Sequence, residues 1–191
     1  MRQSEALKIV EDLVSKCTKC AELTSYREEN EYKTVFGTGN INADIMILGE
    51  APGENEAVNG EPFIGKAGVL LTNILQNIGL SRDSVYICNV IKCRPPRNRN
   101  PLPDEVVNCS NFLEAQIKVV NPKYIICFGA VAAQNLLKTE TTITSLRGHL
   151  HQFKDKKVLC TYHPSYLLRN PKAKELVSQD LQILVKEINS N

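Results

Sequence analysis

The stretch Asp44-Ile-Met-Ile-Leu-Gly-Glu-Ala-Pro-Gly53 runs from four consecutive apolar residues straight into a glycine-bounded turn. An apolar run without polar alternation is the pattern of a strand covered on both faces, as in a parallel sheet. The run over residues 44–49 has three counterparts, over residues 85–90, 123–129 and 157–162, each short and nearly continuous. Between them lie segments of helical period. Residues 66–78 place Val69, Leu70, Ile74, Leu75 and Ile78 on one face and stop at Gly79, a normal C-terminal stop. Residues 103–120 open with Pro-Asp-Glu, which suits a first helical turn. Residues 130–137 and 173–188 follow, and residues 4–16 precede, with Ala6, Ile9, Val10, Leu13 and Val14 at helical spacing. This alternation predicts an α/β three-layer sandwich whose central sheet has four parallel strands flanked by helices. A single domain over residues 1–191 is expected. In open α/β sheets ligands bind at the carboxyl ends of the strands, which directs attention to residues 49–65, 89–99 and 163–169.

The bulk composition narrows the class. The chain has 191 residues, a net charge of +2 and 42% hydrophobic residues. No tract approaches the roughly 18 apolar residues of a membrane span. The first residues, Met1-Arg-Gln-Ser-Glu-Ala-Leu, carry an acid and no apolar core of a secretory signal. A cytoplasmic, monomeric protein with no membrane partner is expected. Seven cysteines make an odd count for a disulfide framework, so reduced thiols or a metal site fit better.

The segment after the first strand combines glycines with four glutamates, Glu50, Glu54, Glu56 and Glu61. A loop that holds nucleotide phosphates uses glycines and backbone N–H groups and gains nothing from so many carboxylates. Gly60-Glu-Pro-Phe-Ile-Gly-Lys-Ala67 has the spacing of a phosphate-binding loop, but Ala67 stands where Ser or Thr would bind Mg²⁺. The run also starts eleven positions after Gly49 rather than directly at the strand end. Its plain reading is a turn that caps the following helix, whose N-terminus offers a place for one DNA phosphate.

The cysteines fall into two kinds. Cys17-Thr-Lys-Cys20 is a C-x₂-C pair, and Cys93 and Cys109 bracket a proline-rich run. Four thiolates complete a tetrahedral metal site or a cubane cluster, and spacing alone leaves a metal site and four unligated thiols equally open. Cys88, Cys127 and Cys160 sit inside apolar strands and read as small buried hydrophobes. Lys92, Arg94, Arg97 and Arg99 form a basic run without an acid among residues 92–103. Such a run is either a solvated face or a set of contacts to a DNA backbone. His163, fixed by Pro164 at the end of the fourth strand, is a catalytic candidate, whereas His149 and His151 read as loop residues.

Together, Gly49-Glu-Ala-Pro-Gly53, Gly60-Glu-Pro-Phe-Ile-Gly-Lys-Ala-Gly68, Asn89 with Lys92-Cys-Arg-Pro-Pro, and His163-Pro-Ser-Tyr-Leu-Leu-Arg169 resemble the family 4 uracil-DNA glycosylases, iron–sulfur enzymes of thermophilic archaea and bacteria. The resemblance implies an enzyme that flips uracil out of DNA and hydrolyses its N-glycosidic bond, starting base excision repair. It implies a [4Fe–4S] cluster on Cys17, Cys20, Cys93 and Cys109. Phe63 would stack on uracil, Asn89 would pair with O4 and N3–H, and His163 would hydrogen-bond O2 as charge grows on the leaving base. Glu50 and Ala51 would line the same pocket, with Glu50 placed to position water. Better-known relatives carry Asp at the place of Ala51 and Tyr at the place of Gly53, which leaves the general base open. Glu56 is read either as excluding thymine's methyl group or as a solvated loop acid. Arg94, Arg97, Arg99, Ser165 and Arg169 would contact the DNA backbone. A protein partner such as a sliding clamp has no signal in the sequence.

Overall fold

The computed structural model describes residues 2–190. Six strands form one sheet: β1 (Thr38–Gly39), β2 (Ile45–Gly49), β3 (Tyr86–Asn89), β4 (Tyr124–Phe128), β5 (Leu150–Phe153) and β6 (Lys156–Thr161), in the order β1-β3-β2-β4-β6-β5. The four expected strands are the central ones, and β3, β2, β4 and β6 run parallel to one another. The expectation of a four-stranded, wholly parallel sheet is corrected at both edges, where β1 and β5 pair antiparallel. The reason is local. β1 is two residues long, too short for any periodicity, and β5 (Leu-His-Gln-Phe) is a partly exposed edge hairpin arm rather than an apolar run. His151, expected in a loop, lies on β5 with a ring nitrogen 2.6 Å from the carbonyl of Leu146.

The helices are α1 (Gln3–Ser15), α2 (Ala21–Glu29), α3 (Glu54–Asn59), α4 (Lys66–Asn77), α5 (Pro103–Val120), α6 (Ala130–Leu137), α7 (Ile143–Leu146), α8 (Pro164–Arg169) and α9 (Lys174–Asn189). Period 2 along each central strand sends alternate residues to opposite faces. Met46 and Leu48 of β2, with Ile125 and Cys127 of β4, join Leu7 and Val14 of α1 and Leu113 and Ile117 of α5 in one core. Ile45 and Ile47, with Ile126 and Phe128, join Leu71 and Leu75 of α4 and Val177, Leu181 and Leu184 of α9 in the other. Both faces are therefore dry, which explains why the strands read as continuous apolar runs.

One buried polar knot fastens the end of β6. Asp180 of α9, 1% exposed, accepts from Thr161 Oγ1 at 2.6 Å and from Arg147 Nε and Nη2 at 3.0 and 2.8 Å. Arg147 also donates to the carbonyl of Leu176 and lies over the Tyr162 ring. The chain thus leaves β6 along a fixed path just before His163.

Candidate active site

The carboxyl ends of β2 and β3 stay zipped beyond the sheet: the N–H of Val90 donates to Gly49 and that of Ile91 to Glu50. Glu50 and Asn89 are thereby held side by side. With Ala51, Phe63, His163 and Arg169 they line a cleft of about 730 Å³. All three segments singled out in the sequence meet there.

Asn89 is 2% exposed, and its Oδ1 is the one buried side-chain nitrogen or oxygen among the described residues with no hydrogen-bond partner. A buried acceptor left unpaired costs about 1–3 kcal/mol, so an orphan at the bottom of a cleft points to a ligand donor. Gly49 makes room for it. A Cβ there would collide with Asn89 Oδ1 and stand 2.5 Å from Cζ of Phe63, so the phenyl ring lies directly on the backbone at the strand end.

Phe63 is buried and adopts φ 54°, in the left-handed region. A bulky residue does so only where its surroundings over-determine it. Three contacts do that here. Arg82 Nη1 and Nη2 donate to the carbonyls of Phe63 and Pro62 at 2.9 and 2.8 Å. Glu56 Oε1 accepts the N–H groups of Ile64 and Gly65 at 2.9 and 2.8 Å. Gly68 has no side chain, and a Cβ there would overlap the Phe63 carbonyl. Glu56 is therefore not a solvated loop acid. Its carboxylate also takes two amides of the loop ahead of α4, those of Ile64 and Gly65, and sets a carboxylate where a nucleotide clamp would hold phosphate.

The rings of Phe63 and His163 are 5.6 Å apart, centroid to centroid, and 29° from coplanar. His163 Nδ1 accepts the Ser165 N–H at 3.1 Å and lies 2.8 Å from Ser165 Oγ. A backbone N–H can only donate, so Nδ1 is unprotonated and the neutral ring carries its proton on Nε2. Burial lowers the pKa of His163 to about 4, which keeps the ring neutral at physiological pH. Ser165 directs both its N–H and its hydroxyl at His163, leaving neither donor for a phosphate in this geometry. Glu50 is half-buried, and burial raises its pKa above the ordinary carboxylate range.

The basic run is not one exposed face. Lys92 is 1% exposed and donates to the Asn89 carbonyl at 2.7 Å and to Gln116 Oε1 at 2.5 Å. Arg94 is also turned inward: it donates to Asn98 Oδ1 and the Tyr32 hydroxyl and pairs with Glu54 at 3.4 Å. Arg99 is bound by Glu105 at 2.6 Å and Glu22 at 3.0 Å. Arg97 alone of the run is exposed and makes no ion pair among the described residues, and Arg169 is exposed at the rim of the cleft. With Lys92 and Arg94 turned inward, the run does not present one continuous basic face. Nothing in the sequence marked Arg82, which lies in an unremarkable Ser-Arg-Asp-Ser turn nineteen positions after Phe63.

Cys17, Cys20, Cys93 and Cys109 are half-buried free thiols, whereas Cys88, Cys127 and Cys160 are fully buried. Burial is the largest cause raising the pKa values of Cys20, Cys93 and Cys109; Asn108, Arg27 and Lys92 respectively oppose it, and Cys17 raises all three, behind Glu105 at Cys20 and behind Cys93 at Cys109. The four thiols therefore share one neighbourhood. Side-chain donors face it: Arg27 Nη1 is 3.4 Å from Cys93 Sγ and Asn108 Nδ2 is 3.7 Å from Cys20 Sγ. Among the described residues, no three His, Cys, Asp or Glu side chains converge as ligands of a single metal ion do. No helix among them is long and apolar enough to cross a membrane.

Comparison with known proteins shows the family. Residues 36–184 match the family model of the uracil DNA glycosylase superfamily. The chain is 42% identical over 184 residues to a type-4 uracil-DNA glycosylase of Thermotoga maritima, covering 94% of this chain and 93% of that protein. It is 41% identical to the type-4 uracil-DNA glycosylase of Archaeoglobus fulgidus, over 91% and 90% of the two chains. The corresponding protein of Sulfurisphaera tokodaii is 40% identical, over 92% and 81%. With β2, β3 and β6 delivering Glu50, Asn89 and His163 to one cleft, the chain belongs to the uracil DNA glycosylase superfamily, and within it to the type-4 uracil-DNA glycosylases.

Proposed function

We infer that the chain removes uracil from DNA by hydrolysing the N-glycosidic bond, and that the cleft at the ends of β2, β3 and β6 is where it does so. The observation that carries this reading is the orphaned Oδ1 of Asn89 in a cleft that Phe63 and a neutral His163 also line. Uracil presents a donor at N3 and acceptors at O4 and O2. Oδ1 accepts from N3–H and the Asn89 amide nitrogen donates to O4. Cytosine reverses donor and acceptor on that edge and leaves the buried amide mispaired. A base stacked inside a duplex cannot reach this depth, so the nucleotide must be extruded.

The chemical step follows from the protonation states. As the glycosidic bond breaks, negative charge develops on the leaving base and the sugar becomes oxocarbenium-like. His163 Nε2–H donates to O2, where that charge collects, and a donor preorganised in this way is worth about 3 kcal/mol. Glu50 is the carboxylate on the cleft wall free of the backbone bonds that hold Glu56. It orients the attacking water and offsets the sugar's positive charge. Ala51 supplies wall rather than chemistry. Arg97 and Arg169, both exposed, hold the DNA backbone in this reading.

A [4Fe–4S] cluster on Cys17, Cys20, Cys93 and Cys109 completes this reading. When bound it would supply an anionic, rigid brace tying together the segments that carry the four cysteines, and the hydrolysis would draw on none of its redox chemistry. The fit is supported by Lys92, a buried ammonium without an acidic partner among the described residues. Its charge lowers the Cys109 pKa against the dominant effect of burial, so thiolates there give the ammonium its counter-charge.

Incubation with a uracil-containing oligonucleotide, followed by alkali, tests the function. Strand cleavage at the uracil position alone is expected. An intact strand after exhaustive incubation of folded protein rejects the assignment.

A further inference from the structure

Phe63 holds a backbone conformation that a phenylalanine does not keep unaided, and it lines the cleft. We propose that Arg82 is a positioning residue for Phe63, clamping the Pro62 and Phe63 carbonyls so that the ring lies flat for the extruded base. The proposal rests on the reading of Phe63 as the stacking surface for uracil.

The geometry is that of a two-sided clamp. On one side, the planar guanidinium donates through Nη1 to the Phe63 carbonyl and through Nη2 to that of Pro62. This fork grips two successive peptide oxygens at once, which a lysine ammonium does not reproduce. On the other side, Glu56 takes the N–H groups of Ile64 and Gly65. The peptide planes on both sides of the Phe63–Ile64 link are thereby fixed, and with them the ring's direction. Arg82 is well anchored for this task. It opens a 3₁₀ turn, Arg82–Ser84, that leads into β3, and its carbonyl accepts from Val85 N. The same strand ends in Asn89. One element therefore sets both the amide that reads the base edge and the clamp that orients the ring stacked on its face. Arg82 is itself only partly exposed, and its one ion pair among the described residues, with Glu61, is a loose 3.8 Å. The two carbonyls, not an ion pair, are its principal partners.

The test is a double-mutant cycle on single-turnover uracil excision, with melting temperature recorded for each variant. Arg82→Ala is expected to lower the rate by roughly 10- to 100-fold, since a misplacement of about 1 Å costs up to ~10²-fold. It is also expected to weaken inhibition by free uracil in parallel. Arg82→Lys keeps one of the two bonds and should recover part of the loss. Phe63→Gly removes both the ring and the backbone constraint, so adding Arg82→Ala to it should cost no further rate. Fully additive effects in the double variant, or an Arg82→Ala enzyme with wild-type rate and uracil inhibition, overturn the clamp while leaving Phe63 as the stacking residue. A Phe63→Gly enzyme with wild-type rate instead overturns the reading of the cleft on which the clamp rests.

Discussion

Nδ1 of His163 accepts the backbone N–H of Ser165, and that one bond decides which ring nitrogen faces the cleft as a donor. Protonating the ring would place a second hydrogen at Nδ1, against the Ser165 N–H. Burial dominates, the nearby Arg169 charge adds to it against the pull of Glu56, and the pKa falls from 6.5 to about 4. A histidine whose folded pKa lies below its unfolded value favours the folded state fully above the unfolded value. That contribution is lost as the pH falls from 6.5 toward 4. The chemical rate should accordingly show no limb from His163 near neutrality. His163→Ala should lower single-turnover excision by about 10²–10³-fold, with DNA affinity little changed. A rate limb near pH 6.5 that disappears in this variant would show the ring to be ordinary and exposed.

Glu50 carries the opposite sign. Its raised pKa means that the folded state binds the proton more tightly than the unfolded chain does. Stability from this residue therefore falls as pH rises above 4.5 through the raised value. Glu50→Gln should raise the melting temperature at neutral pH while lowering the chemical rate by ~10²–10⁴-fold. The wild-type rate should climb with pH through an acid limb displaced above the ordinary glutamate range. A Gln variant that keeps the wild-type rate removes Glu50 from the chemistry.

The central strands, and the convergence of Glu50, Asn89 and His163, were legible because burial on both faces writes itself as uninterrupted apolar runs. Chain direction in such a sheet then places every strand end on one side. The edges were not legible: β1 is two residues long, and none of the four residues of β5 is fully buried. Lys92 and Arg94 misled for a different reason. Sequence gives the sign of a charge and not the direction of its side chain, and both turn inward to carbonyl and hydroxyl partners. Glu56 was ambiguous for the same reason, since its acceptors' partners are backbone amides that any residue supplies.

Gly49 and Asn89 separate function from stability. Asn89→Leu deletes a buried acceptor that has no partner in the folded protein, so its melting temperature should match or exceed that of the wild type. Uracil excision should fall steeply, because the edge of the base then meets hydrocarbon. Gly49→Ala should also abolish excision, by driving the Phe63 ring off the strand end. Calorimetry and single-turnover assays on both variants check the pair. An Asn89→Leu protein destabilised by several degrees would mean that the amide has a structural partner after all.

The basic residues divide into two groups with different signatures. Arg97→Ala and Arg169→Ala should each reduce the slope of log affinity against log salt by about one, across all DNA sequences and without loss of stability. Arg94→Ala and Arg99→Ala should lower the melting temperature, because each holds several partners that would be left unpaired. A salt slope that responds to Arg94 and not to Arg97 would reverse this division.

Lys92 connects the cysteine site to the base-reading amide. Its ammonium bonds the Asn89 carbonyl at 2.7 Å, and its charge acts on Cys109. Buried ammonium and thiolate cluster each lower the cost of burying the other. Protein purified without oxygen should be brown and carry about four irons, as four thiolates around a cubane require. Lys92→Met keeps the length and apolar stem and deletes the charge. It should lose iron to a chelator faster than the wild type, and it should also excise uracil more slowly before any iron is lost, because Asn89 is released. Colourless, fully folded protein with stoichiometric zinc refutes the cluster. Iron retention and excision that are both unchanged in Lys92→Met refute the connection while leaving the cluster in place.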